Sequence, residues 1–299
     1  MKQHESQTRR VKLSTRLPWK TMRHIGLFLI ALLLLLSFYR SNMIFKTTTY
    51  TVESPFLSNA FNGYRIAQIS DLHGHVFGDA GEDLLTALDA ASPNLVVITG
   101  DAISRSEKHP EETAKVLQAV ASRYPTYYIR GNHELHRDEV EPEQSRFYDA
   151  LREAGVIVLE NESVPILYRE AQINLVGLKE PLDAYETNTP PDVKALLGEK
   201  PDGFTILLAH NPLWLERYVD WGADLVISGH VHGGMVRLPF VGGVFSPDVS
   251  FFPRYDRGVY QMGQTKMVVS TGMGGSGFPF RLFNDQELVV ITLSSQSIH

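Results

Sequence analysis

Five short apolar runs of this chain each end in a cluster of Gly, Asp, Asn or His, and that repeated pattern restricts what the chain can fold into. The runs are Tyr64–Ser70, Leu95–Thr99, Tyr127–Arg130, Phe204–Ala209 and Leu225–Ser228, and a sixth run, Ile173–Leu178, joins them. Their length and bounding residues read as strands. Amphipathic helical stretches lie between several of them: Glu82–Ala91, Glu111–Arg123 and Pro142–Ala154. In the second, Val116, Leu117, Val120 and Ala121 recur at helical spacing, and Pro142 suits the first turn of the third. Strands alternating with helices predict an α/β fold whose sheets are covered by helices on their outer faces. Residues 63–299 contain no internal repeat or low-complexity tract and read as one domain.

The clusters are Asp71-Leu72-His73, Gly100-Asp101, Gly131-Asn132-His133-Glu134, His210-Asn211-Pro212 and Gly229-His230-Val231-His232-Gly233-Gly234. Singly, each has a structural explanation. Gly-Asp makes turns, Asn132 can cap a helix, and a lone His210 is ordinarily a hydrogen-bonded core residue. Functional residues of α/β sheets, however, gather at the carboxyl ends of strands, and all five clusters sit there. Asp71, Asp101, Asn132, His73, His210, His230 and His232 form a mixed oxygen and nitrogen donor set. That set suits a transition metal such as Mn, Fe, Zn, Co or Ni over an all-oxygen Ca or Mg cage. Residues i and i+2 of an extended segment point the same way, which would aim Asp71 and His73, or His230 and His232, at a common place. Seven donors exceed what one ion takes. Two ions about 3.5–4 Å apart, sharing a carboxylate, use them all. Set against two divalent ions, Asp71, Asp101 and a bridging hydroxide leave a formal charge of about +1, electrophilic toward an anionic phosphate ester.

In this order the motifs resemble the full signature of calcineurin-like metallophosphoesterases, over residues 64–234. The segments HGGMVRLP (232–239), STGMGGSG (270–277) and PFRLF (279–283) are similar to those of small bacterial membrane-associated phosphodiesterases. The resemblance implies a four-layer α/β/β/α sandwich, with two divalent ions at one edge between the sheets. It implies that Asp71, His73 and His232 hold one ion, that Asn132, His210 and His230 hold the other, and that Asp101 bridges them. It implies that His133 gives a proton or hydrogen bond to the leaving oxygen without ligating. The implied reaction is hydrolysis of a phosphodiester or pyrophosphate bond by a hydroxide bridging the metals, with diesters preferred over monoesters.

Ile25 to Tyr39 carries no charge, and extending it to Phe45 gives a membrane anchor over 25–45, with Arg40 snorkelling and Phe38, Tyr39 and Phe45 at the interface. Ser37-Phe38-Tyr39-Arg40 offers no small-residue cleavage site, so the segment reads as an uncleaved anchor and not a signal peptide. Residues 1–24 hold seven basic groups, Lys2, Arg9, Arg10, Lys12, Arg16, Lys20 and Arg23, against Glu5. That bias keeps 1–24 in the cytoplasm and places a single-pass protein's catalytic domain on the outer face of the cell membrane. Thr8-Arg9-Arg10 partly resembles a twin-arginine export signal, or is a plain basic start. Residues 46–62 read as a tether running into a first edge strand.

Beyond residue 24 the chain holds 21 basic against 33 acidic residues, so non-specific nucleic-acid binding is not expected. With no cysteine, thiolate catalysis and disulfides are excluded. Phe240, Phe245, Phe251, Phe252 and Tyr255 follow the last motif with Pro239, Pro247 and Pro253. They read as a loop packing its own small core, or else as an apolar wall facing the bilayer and admitting a lipid-linked phosphate. Arg237 and Arg281 are candidate phosphate contacts, with structural salt bridges the competing role. His75 and His136 lie near the motifs without a ligand role. The substrate expected is a lipid-linked or envelope phosphate ester. Some relatives in the family imply instead a pyrophosphatase cleaving a UDP-linked diacylated glucosamine in lipid A synthesis, which would need a cytoplasmic site. A metal-dependent binding module without turnover is the alternative of another class, and the intact His133 speaks against it.

Overall fold

The computed structural model describes residues 18–140, 145–247, 250–275 and 280–295. Helix α1 (Trp19–Met43) comes first, followed at once by strand β1 (Phe45–Ser54). Then come β2 (Arg65–Ile69), α2 (Glu82–Ala91), β3 (Leu95–Thr99), α3 (Pro110–Ala121), β4 (Thr126–Ile129), α4 (Asn132–Val140), α5 (Ser145–Glu153) and β5 (Ile157–Val158). The second half holds β6 (Glu162–Tyr168), β7 (Ala171–Gly177), α6 (Leu182–Thr187), α7 (Val193–Leu197), β8 (Thr205–Leu208), α8 (Leu215–Trp221) and β9 (Leu225–Ser228). Strands β10 (Val236–Leu238), β11 (Gly242–Phe245), β12 (Gly258–Met262), β13 (Thr265–Val269) and β14 (Gln286–Ser295) complete it. Lys2, Arg9, Arg10, Lys12, Arg16, Pro142, Ser276, Gly277 and Pro279, which the sequence singles out, lie outside the described residues.

Alternate side chains of the apolar runs enter different cores. Ile66, Val97 and Ile129 of one sheet meet Ile206, Leu208 and Ile227 of the other between the sheets. On the outer face of the first sheet, Ile69, Val96 and Ile98 pack under Leu84, Leu88, Leu117, Val120 and Leu151 of α2, α3 and α5. On the outer face of the second, Leu207 and Val226 pack under Trp214, Leu215 and Tyr218. Three cores separate four layers, so the chain is the α/β/β/α sandwich expected. Strands buried on both faces read as continuous apolar runs, which is why they were legible.

The first sheet runs β1-β14-β2-β3-β4-β5 and the second β12-β13-β9-β8-β7-β6. Strands β2 to β5 are mutually parallel, as are β7, β8, β9 and β13. The carboxyl ends of β2, β3, β4, β8 and β9 therefore share one edge of the sandwich. Gln68, whose side chain points between the sheets, ties them there. Its Nε2 donates to Thr99 Oγ1 at 2.9 Å and to the carbonyl of Ser228 at 2.8 Å.

Strand β1 is the edge strand of the first sheet, and two further features stand out. Strand β14 enters between β1 and β2, parallel to the first and antiparallel to the second. And no tether follows the apolar helix: only Ile44 separates α1 from β1. α1 begins earlier than residue 25 and is 25 residues long, with mean hydropathy 2.0 over its most apolar stretch and none of that stretch buried. Its length of about 37 Å exceeds the roughly 30 Å hydrocarbon layer. Leu27, Phe28, Leu29, Ile30, Leu33, Leu34, Leu35 and Leu36 are all exposed on it. Leaving eight such side chains about half in water forgoes roughly 6–12 kcal/mol. That approaches the whole stability of an ordinary domain, about 5–15 kcal/mol, so a helix of this kind calls for an apolar solvent.

Candidate metal centre

The five clusters converge at the shared sheet edge. Three overlapping groups, Asp71-His73-His232, His73-Asp101-His133 and Asp101-His210-His230, each bring their donor atoms within 4.8 Å of one another. His73 and His232 are 159 positions apart, yet their Nε2 atoms lie 3.0 Å from each other. Asp101 Oδ2 stands 3.3 Å from His210 Nε2, 3.7 Å from His73 Nε2 and 4.0 Å from His133 Nε2. Asp71 Oδ1 is 3.5 Å from His232 Nε2 and 4.0 Å from His210 Nε2. Asp101 thus lies between two histidine groups, and Asn132 is buried at the start of α4 beside them.

The backbone achieves this differently from the extended geometry expected. Asp71, His73, Asp101, His230 and His232 all have positive φ, from 49° to 69°. Side chains at i and i+2 converge through left-handed turns, a conformation that costs a non-glycine residue energy and clusters at functional sites. The motif glycines clear the space. A Cβ at Gly229 would stand 2.0 Å from Ser70 Oγ and 2.3 Å from Asp71 Oδ2.

Hydrogen bonds fix the donors. Asp71 accepts from Ser70 Oγ at 2.5 Å and from the His230 N–H at 3.0 Å. Asp101 Oδ1 accepts from the His133 N–H at 2.9 Å. His210 Nδ1 lies 2.6 Å from the carbonyl of Thr99, so that nitrogen carries a proton and Nε2 faces the cluster. The N–H of Arg105 donates to His133 Nδ1 at 3.2 Å, which leaves the proton of a neutral His133 ring on Nε2, the atom facing Asp101. Glu134 accepts from the N–H groups of Asp101 at 2.9 Å, Gly131 at 2.8 Å and Ile103 at 3.1 Å, and so clamps two of the ligand-bearing loops together. Sequence spacing assigns Glu134 no such part, because its donors come from separate loops.

Taken by the side chains alone, the electrostatics are those of a cation site. Burial pushes Asp71 up to about 6. Burial also works against charge on Asp101, but His133, His210 and His73 around it hold it well below the usual carboxylate range. His73 is lowered to about 3, and His232 also falls, each chiefly by burial. His210 goes the other way: burial opposes its charge, yet Asp101, Asp71 and Glu180 outweigh it and carry it up to about 10. Around His210, then, the carboxylates favour positive charge. His210 Nε2 and Asn132 Oδ1 are moreover buried without hydrogen-bond partners among the described residues. Buried polar atoms ordinarily have partners, and a divalent ion would supply one to both. The donor set therefore fits metal ions.

Of the two arginines singled out in sequence, Arg281 lies at this edge. It is buried, its Nη2 is 3.0 Å from His232 Nδ1, and both Nη2 and Nε donate to the carbonyl of Gly274. Arg237, on β10, has its Nη1 held by the carbonyl of Gly233 and by Asp256 Oδ2, both at 2.8 Å. His75 and His136 are half-buried and fall in none of the three groups. Within the aromatic stretch, half-buried Phe245 has its ring 5.3 Å from that of Phe251. Tyr255 is buried under the second sheet, whereas Phe240, Phe251 and Phe252 are exposed.

The comparisons with known proteins agree with this geometry. Residues 64–234, from β2 to the last histidine cluster, match the family described as calcineurin-like phosphoesterase. The chain is 29% identical over 265 residues to the uncharacterized metallophosphoesterase YkuE of Bacillus subtilis (strain 168), covering 86% of this chain and 88% of that protein. It is 32% identical over 263 residues to a transmembrane protein with metallophosphoesterase domain of Bos taurus, covering 82% of this chain and 56% of that one. With a metallophosphoesterase of Campylobacter jejuni, Cj0846, it shares 28% identity over 275 residues, covering 90% of this chain and 70% of that protein. Fold, motif order and convergent donors together make the chain a member of the calcineurin-like phosphoesterase family.

Proposed function

We propose that this chain is a membrane-anchored, dinuclear metal-dependent hydrolase that cleaves a phosphodiester or pyrophosphate bond of a lipid-linked or envelope substrate. The observation that carries it is the cluster around Asp101, a buried carboxylate flanked by histidines from four different motifs. In this reading Asp71, His73 and His232 hold one ion, Asn132, His210 and His230 hold the other, and Asp101 serves both. Mn, Fe, Zn, Co and Ni all suit that set. Bound ions would lower the pKa of coordinated water toward neutrality and offset charge on the phosphoryl oxygens.

The chain's own residues do the rest. Burial lowers the pKa of His133, so the ring is neutral at pH 7, and its Nε2–H is available to the leaving oxygen. Glu134 and Ser70 keep the ligand loops rigid. Arg281 presents a buried guanidinium whose Nη1 has no partner among the described residues, a donor suited to a phosphoryl oxygen. Support for a lipid-linked substrate comes from α1. Asn42, in its last turn, bonds the backbone of Arg281, so the cluster stands one arginine side chain from the end of the apolar helix. The excess of basic residues over residues 1–24 supports an extracytoplasmic position for the domain in this reading.

The full chain in detergent, loaded with Mn, should turn over an aryl phosphodiester faster than an aryl monoester. Metal binding without turnover of either would leave a binding module. Turnover of the monoester alone would remove the diesterase preference. Resistance of the domain to protease added outside intact cells would reverse the orientation.

A further inference from the structure

We infer that the β10–β11 hairpin is a second membrane contact, inserting its apolar tip into the leaflet from which α1 emerges. The tip is Leu238-Pro239-Phe240-Val241. Leu238 and Val241 are exposed and Phe240 wholly so, while Phe251 and Phe252, also exposed, flank the base of the hairpin. Three exposed apolar side chains at the tip and two more beside the base are more than a water-facing hairpin ordinarily carries.

Chain direction points the tip at the bilayer. Segment 280–285 lies along the last turns of α1. The amide of Asn42 exchanges two hydrogen bonds with the backbone of Arg281, at 2.8 and 3.1 Å. Two residues later the N–H of Phe283 donates to Ser37 Oγ at 2.8 Å. Between Arg281 and Phe283 the contact moves from Asn42 back to Ser37, toward the apolar middle of α1, before Asn284 N–H, donating to Ser41 Oγ at 3.1 Å, turns the chain back toward the helix end. β10 is bridged to this segment in parallel, through Val236 and Leu282, with Arg237 N–H donating to the Leu282 carbonyl at 2.9 Å. Leaving Arg237, the chain consequently heads along α1 in the same sense, and Phe240 lies at the far end of that path.

The turn chemistry agrees. Val241 N–H donates to the Leu238 carbonyl at 3.2 Å, closing a four-residue turn with Pro239 second and Phe240 third at φ +67°. A third position of that kind is normally Gly or Asn, because a Cβ is strained there. Phe240 stands at a place where the turn would favour Gly or Asn. A lipid surface is the occupant that continuity with α1 supplies. Since β10 starts only four residues after His232, the cluster would then open beside the headgroups.

The inference rests on α1 crossing the bilayer, and the test separates the two. The chain has no cysteine, so Phe240→Cys, Val241→Cys, Leu33→Cys in α1 and Leu167→Cys on the distant edge strand β6 each give one labelling site. Each full-length variant, carrying an environment-sensitive fluorophore, is placed one chain per nanodisc with lipids bearing a quencher near the headgroup or near the acyl terminus. An apolar tip seated about 5–10 Å deep predicts quenching at 240 and 241 at least about twofold above that at 167, and stronger with the headgroup-proximal quencher. Quenching at 33 with 240 and 241 no different from 167 would overturn the inference and leave the anchor standing. No quenching at 33 would overturn both. Shielding of 240 only when several chains share a disc would assign the face to a second copy and also defeat the proposal.

Discussion

Arg281 Nη2 lies 3.0 Å from His232 Nδ1, and this contact connects the apolar helix to the metal cluster. A guanidinium only donates, so His232 Nδ1 accepts this hydrogen bond. The backbone of the same arginine is bonded to Asn42 of α1. Arg281 thereby holds the His232 ring in position, and loss of a group that positions a ligating side chain typically costs about 10–100-fold in metal affinity or activity. Arg281→Ala should therefore lower kcat/KM for an aryl phosphodiester by that factor. Arg281→Lys should recover only part of it, because a point charge replaces a planar fork. Wild-type kinetics in Arg281→Ala would remove the arginine from the site.

Asp101→Ala should abolish turnover and release metal, because Asp101 faces His73, His133 and His210 at once. His133→Ala should behave differently, keeping its metal while losing about 10²–10⁴ in kcat, the usual contribution of a positioned proton donor. Metal analysis of both purified variants checks this. Metal loss from the His133 variant would show that His133 is a ligand.

Metal binding should be linked to protons with a definite sign. Asp71, raised to about 6, must be ionised to ligate, so affinity should fall as pH drops through that value. His210, raised to about 10, holds a second proton at pH 7 that an ion on Nε2 must displace. Calorimetry in buffers of different ionisation enthalpy should register at least about one proton released per pair of ions at pH 7, with any proton lost by coordinated water adding to that of His210. Proton uptake, or none at all, would contradict the assignment of His210.

Gly229→Ala should destabilise the domain and impair the cluster together, because its Cβ would meet Ser70 Oγ at 2.0 Å and Asp71 Oδ2 at 2.3 Å. Overpacking of this kind costs about 1–3 kcal/mol. In a domain of this size that lowers Tm by roughly 2–12 °C. A melt and metal content indistinguishable from wild type would show that the loop yields freely.

The strands and their terminal clusters were legible because β3 and β9 are buried on both faces, so Leu95–Thr99 and Leu225–Ser228 stand out as unbroken apolar runs. β14 was not legible as the partner of β1 and β2, because nothing local distinguishes a strand that inserts centrally from one that adds at an edge. The left-handed turns at Asp71 and His230 were missed for a related reason. Glycine and asparagine advertise positive φ, whereas a ligand residue is forced into it by its surroundings.

The chain's order of residues was enough to establish the family, the donor types and an apolar helix of membrane length, since periodicity and side-chain chemistry are local properties. Only the folded structure decided that Asn42 of that helix, 239 positions from Arg281, hydrogen-bonds its backbone, and that Arg281 in turn reaches His232. It also decided that Arg237 is held by Asp256 and that Phe240 stands exposed at a strained turn. Contacts across such separations depend on how layers stack and which strand enters a sheet, and those choices are made by the summed packing of the whole domain.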